Sequence, residues 1–185
     1  HRPALSPGRM ATTSRLFVET DFVPRELQAA YRTVAQDCDQ AATEILSAMT
    51  TDDLQRVHGD CHVGNILWRD DTPHFVDLDD CISGPVVQDI WMFLNGDRNQ
   101  REHQLAEFIA GYQEFNDFDV RQLSWIEALR TLRIMHHAAW LARRWSDPAF
   151  PKAFPWFGQQ RFWADHILEL REQLSAMQEA PLRLL

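Results

Sequence analysis

Apolar residues recur at intervals of three and four over most of the chain. Leu27, Tyr31, Val34, Cys38, Ala41, Ile45 and Met49 mark one such face, which predicts a helix from about residue 24 to 49. Pro24 suits its first turn, with Asp21 ahead and Glu26 inside. "TDD" (51–53) ends the pattern, and the spacing lapses. "LQRV" (54–57), "NILW" (65–68) and "HFVDL" (74–78) are short β-prone runs. "RDDTP" between the last two is turn-forming and predicts a hairpin. After Gly84-Pro85 the helical spacing returns in three stretches. Val87, Ile90, Trp91 and Leu94 form one stripe, and Leu105, Phe108, Ile109 and Tyr112 the next. Leu123, Ile126, Leu129, Leu132, Met135 and Ala139 then follow one long helix, about 119 to 145. "DPAFPKAFPWF" is a proline-broken aromatic loop, and Phe162, Trp163, Ile167, Leu170, Leu174 and Met177 mark a last helix. The predicted fold class is α+β, mostly helical, with a short β-hairpin region near 54–80.

Composition narrows the partners. With 185 residues, 45% of them hydrophobic, the chain can bury a real core. A net charge of −9 argues against non-specific nucleic-acid binding and against an anionic membrane surface. No apolar run reaches ~18 residues, so no membrane span is expected. Cys38, Cys61 and Cys81 show no CxxC spacing and read as free thiols, which suits a cytoplasmic location. The chain opens on His1, and its first fourteen residues read as a connector containing Pro, Gly, Ser and Thr. It is expected to be the downstream part of a longer protein.

The candidate chemistry sits in "VHGDCHVGNILW" (57–68). Asp60 and Asn65 are five apart on one loop, and Asp77 follows twelve residues later, at the end of a strand. A hairpin between them can return Asp77 to the loop, so that two carboxylates and one amide converge. Mg²⁺ prefers such hard oxygen ligands and usually takes one or two carboxylates plus substrate phosphates. The remaining carboxylate can accept a proton from an attacking hydroxyl. Phosphoryl transfer by protein kinases uses this layout, with a loop Asp as base and an Asn and a later Asp on metal. The alternative is a polar turn capped by Asx side chains, although a cap does not call for all three residues at this spacing.

"HGDCHVGNIL" resembles the H-G-D-x-H-x-x-N loop of the aminoglycoside phosphotransferase and choline kinase superfamily. "FVDLDD" is similar to its metal-binding segment, and "GPVVQDIWMFL" to its G-x-P-x-x-D-L-A segment. More narrowly, "HGDCHVGNILWRD", "FVDLDDCISGPVVQDIWM", "LNGD" and "LARRWSDPAFPKAFPWF" resemble the bacterial stress response kinase A family over nearly the whole chain. The resemblance implies the C-terminal lobe of a protein-kinase-like, aminoglycoside phosphotransferase-like fold. It also implies ATP as co-substrate, Mg²⁺, a cytoplasmic location and a protein substrate with a Ser/Thr hydroxyl. Carried over, Asp60 is the base, Asn65 and Asp77 hold Mg²⁺ and the nucleotide, and Asp89 braces the loop. Residues 1–23 are then a connector from a missing N-terminal lobe, and 24–185 the helical C-terminal lobe. The chain has no GxGxxG and no GxxxxGK[ST], and its only lysine is Lys152, so the nucleotide-covering half is expected upstream.

Other residues keep two readings. His58 and His62 orient and pack the loop, or they ligate metal in a hydrolase, for which His136-His137 is the only further candidate cluster. Asp79 and Asp80 add charge near the metal or cap a turn. Cys61 is a small packed thiol or a redox-sensitive one. Arg130, Arg133, Arg143 and Arg144 are surface ion pairs or contacts for an acidic partner. Trp140, Trp145, Phe150, Phe154, Trp156, Phe157 and Trp163 are core or the wall of a substrate groove. The leading function is a Ser/Thr protein kinase lobe of stress response. A small-molecule kinase acting on an amino alcohol or aminoglycoside is the alternative, ahead of a metal-dependent hydrolase or a non-catalytic binding module.

Overall fold

A computed structural model describes residues 2–184. His1 and Leu185, the outer ends of the two predicted regions, lie outside the described residues. The helices are α1 (Thr13–Asp21), α2 (Gln28–Leu46), α3 (Val87–Ile90), α4 (Arg98–Gln113), α5 (Ile126–Arg143), α6 (Ala149–Ala153) and α7 (Gln160–Ala176). The strands are β1 (Gln55–Val57), β2 (Ile66–Arg69), β3 (Thr72–Phe75) and β4 (Ile82–Gly84). The described residues fold as two compact units, one of residues 6–48 and 127–179, the other of residues 2–5, 49–126 and 180–184. No helix among the described residues is long and apolar enough to cross a membrane.

The first unit is helical. α2 packs on α7, and α1 lies against α2. Tyr31, Ala35 and Cys38 of α2, Val18 of α1, Leu132 and Met135 of α5, and Trp163 and Leu170 of α7 are buried. Enclosing a side chain such as Leu170 contributes roughly 1.5–3 kcal/mol. Polar links tie the helices as well. Cys38 Sγ donates to the Leu170 carbonyl at 3.2 Å, and Gln173 Nε2 to the Glu127 carbonyl at 3.0 Å. Arg15 Nε meets Asp39 Oδ2 at 2.8 Å, while Thr12 Oγ1 donates to Asp39 Oδ1 at 3.0 Å. Part of the stretch read as a connector is helical. Gly8–Thr12 forms a π-helical turn that leads into α1. Ala11, Ser14 and Val18 recur at three and four and are each 0% exposed, a stripe of small residues that a composition rich in turn formers conceals.

The second unit holds two short antiparallel ribbons. β1 pairs with β4, Val57 opposite Ile82, and Leu5 N–H donates to the Ser83 carbonyl on the outer side of β4. β2 pairs with β3, Ile66 opposite Phe75, as the predicted hairpin. Its two turn residues, Asp70 and Asp71, have φ of 50° and 56°, as a type I′ turn requires. The second strand was expected over 74–78 but runs over Thr72–Phe75, because Asp77 turns left-handed at φ 62°, ψ 57°. α4 starts at a capping box in which the Asp97 and Gln100 side chains bond each other's main chain. Two predicted helices start later than expected. α2 begins at Gln28 after a turn at Pro24, and residues 120–125 form a 3₁₀ turn ahead of α5.

Candidate active site

β1 ends at buried Val57 and delivers two main-chain N–H groups onto one carboxylate. His58 N–H donates to Asp89 Oδ2 at 2.6 Å, and Gly59 N–H to Asp89 Oδ1 at 2.8 Å. Charge-assisted bonds of this kind are short and strong. Asp89 stands in the first turn of α3, so the helix fixes where the loop begins. Burial pushes its carboxyl pKa up, and the two main-chain N–H bonds pull against that shift. Gln88, the neighbour of Asp89, donates from Nε2 to the Gly59 carbonyl at 3.0 Å. Gly59 has φ +87°, and a Cβ there would stand 2.4 Å from the Asp80 carbonyl oxygen, so only glycine fits.

The loop then folds on itself. The Asp60 carbonyl accepts from His62 N–H at 3.1 Å and from Asn65 Nδ2 at 3.0 Å. That bond assigns the amide orientation of Asn65, with Nδ2 on the Asp60 carbonyl and Oδ1 at the other end of the amide. Gly64 N–H donates to His62 Nδ1 at 3.0 Å, and His62 Nε2 lies 3.6 Å from Asp60 Oδ2. Val76 closes the arrangement. Its N–H donates to the Asn65 carbonyl at 3.0 Å, and its carbonyl accepts from His58 Nε2 at 2.8 Å. A carbonyl only accepts, so His58 carries its proton on Nε2. Both ends of the loop are thus tied to the residue that precedes Asp77. The left-handed backbone at Asp77, which Asp tolerates better than most residues, takes the chain off the strand at that point.

Asp79 and Asp80 are exposed on the turn after Asp77, and Arg2 donates to the Asp79 carbonyl at 2.9 Å. Cys61 is buried, and burial pushes its thiol up to about 11, so the packed-thiol reading holds. His58 and His62 each commit a ring nitrogen to the main chain, and no group of three His, Cys, Asp or Glu side chains among the described residues could hold a metal. Ile66, Trp68 and Phe75 of the hairpin, with Ile90, Phe108 and Tyr112, line an apolar cavity of about 630 Å³. Sequence reading singles out Asp89 but not Gln88 or Val76. Gln88 had only its place beside Asp89 to mark it, and Val76 acts through main-chain atoms that carry no sequence signal.

A model of the phosphotransferase enzyme family (APH) matches residues 2–126. The chain belongs to this family. Within the phosphotransferase family, Stress response kinase A of Escherichia coli K12 is 43% identical over 190 residues, covering 100% of this chain and 56% of that protein. The Serine/threonine protein kinase RdoA of Salmonella typhimurium is 42% identical over 170 residues, covering 92% and 51%. The chain spans about half the length of the curated relatives it matches. The spectinomycin phosphotransferase APH(9)-Ia, solved with ADP and spectinomycin, matches at a TM-score of 0.54 and 16% identity, covering 95% of this chain and 57% of that one. Its AMP-bound structure matches at 0.57 and 17%, covering 94% and 57%. The fold is therefore of the aminoglycoside phosphotransferase, kinase-like type, as the resemblance implied.

Proposed function

We propose that these residues carry the base and metal half of an ATP-dependent phosphotransferase site acting on Ser/Thr hydroxyls of a protein, in the cytoplasm. The observation that carries the reading is the double tie of Val76 to His58 and Asn65, which sets Asp77 one residue from the loop that bears Asp60. Asp60 is the base. Its carboxylate accepts the acceptor hydroxyl's proton as the oxygen attacks the γ-phosphorus and ADP leaves. Asp89 and Gln88 keep the loop's entry fixed, so that the carboxylate meets the hydroxyl without reorganisation. Asn65, through Oδ1, and Asp77, through its carboxylate, fit Mg²⁺ as hard oxygen donors and would hold it. Bound there, Mg²⁺ supplies neutralising charge to the nucleotide phosphates. This reading takes a nucleotide-covering lobe with its own lysine to complete the site; Lys152, on α6, stands on no strand ahead of the loop.

The names of the curated relatives support a protein acceptor. The spectinomycin-bound neighbour supports the second reading, a small-molecule amino alcohol or aminoglycoside acceptor. Transfer of labelled γ-phosphate from ATP with Mg²⁺ by the complete protein, to a basic protein and to a panel of aminoglycosides and amino alcohols, separates the two. Label on protein that falls on the order of 10²-fold or more in Asp60→Asn is the expected result. Label on small molecules alone moves the substrate class, and transfer to neither overturns the reading.

A further inference from the structure

We propose that His62 positions the carboxylate of Asp60, and that residue 64 is glycine because the His62 ring occupies the space of its Cβ. The inference rests on Asp60 being the base. His62 immediately precedes the 3₁₀ turn Val63–Asn65 and caps it, its Nδ1 accepting the Gly64 N–H at 3.0 Å. A ring nitrogen that accepts carries no proton, so the neutral ring is protonated on Nε2. That N–H lies 3.6 Å from Asp60 Oδ2, too long for a hydrogen bond and close enough for charge to act on dipole. One ring therefore holds a main-chain donor at one nitrogen and faces the base with the other. A Cβ on Gly64 would stand 2.8 Å from His62 Cε1 and 3.0 Å from Nδ1. Cε1 joins the two nitrogens, so pressure there disturbs both contacts. Gly64 is not among the residues with positive φ, so its backbone does not itself require glycine.

The test separates capping from positioning. Asn at position 62 keeps an acceptor where Nδ1 stands but is too short to reach Asp60, whereas Gln offers an N–H near the place of Nε2. His62→Asn is expected to keep the melting temperature and lower kcat about tenfold at unchanged KM for ATP, with His62→Gln recovering most of the loss. A fully active His62→Asn reduces His62 to a cap and overturns the proposal. Gly64→Ala is expected to lower kcat in the native background and to change nothing further in His62→Ala. Equal losses in both backgrounds overturn the steric part. Nitrogen-15 NMR of the His62 ring reads the contact without any activity, and protonation at Nδ1 at neutral pH overturns it. A protein that transfers no phosphate counts against Asp60 as base, while the ring tautomer still decides the contact.

Discussion

In the helical unit Tyr31, Trp163 and Leu170 are at most 1% exposed, whereas in the loop-bearing unit Leu67, Trp68, Phe75 and Leu78 are 56%, 70%, 53% and 52% exposed. The first unit is ordered by long helices closing on aromatic and aliphatic side chains. The second holds its site with short elements and with polar side chains aimed at main-chain atoms: Asp89 on two N–H groups, Gln88 on a carbonyl, His58 on Val76 and His62 on Gly64. Such bonds fix directions that apolar contacts leave loose, and directions are what a base and metal ligands need.

The sharpest way to break this contrast is to remove the acceptor at the loop's entry. Asp89→Ala leaves the N–H groups of His58 and Gly59 without their acceptor and lets the loop shift. Phosphotransfer is expected to fall by about 10²-fold or more, the scale of a misplacement near 1 Å. Leu170→Ala is the matching change in the helical unit. It is expected to cost about 2–5 kcal/mol in chemical denaturation while leaving kcat per folded molecule unchanged. The reverse pattern, with activity lost in Leu170→Ala and kept in Asp89→Ala, would remove the distinction between the units.

The same contrast governs what the sequence discloses. α2, α5 and α7 are legible because burial on one face imposes a period that Leu, Ile and Trp print on the chain. The hairpin is legible because Asp70-Asp71 sits between two β-prone runs. β4 is not, since Ile82 is followed by Ser83 and Gly84, turn formers ahead of Pro85. α1 is hidden because its buried positions are Ser14 and Val18 among threonines and an arginine. In the candidate site Asp60, Asn65, Asp77 and Asp89 are legible as a spaced set of oxygen donors. The left-handed turn at Asp77 and the bonds of Val76 are backbone facts, and no side chain announces them.

The smallest predicted effect sharpens the contrast through pH. His136 on α5 has its Nδ1 3.4 Å from Ser14 Oγ, and Ser14 is fully buried. Burial first, then the charges of Arg143, Arg9 and Arg133 and of His137, lower its pKa from 6.5 to about 4. Between those values the unfolded chain takes up a proton that the folded chain refuses. The stability of the helical unit therefore falls as pH drops from 6.5 towards 4, by at most about 1.4 kcal/mol per pH unit for one proton. Asp89 has the opposite sign. Its raised pKa makes the folded chain take up the proton first, so its contribution to stability grows as pH falls through the interval above the ordinary value of 3.8. Amide exchange followed from pH 7 to 4 reads the two units separately. His136→Gln is expected to flatten the slope in α1, α5 and α7 and to leave the amides of β1 and α3 on their native profile. A slope in the helical unit that survives His136→Gln would assign the acid response to other groups.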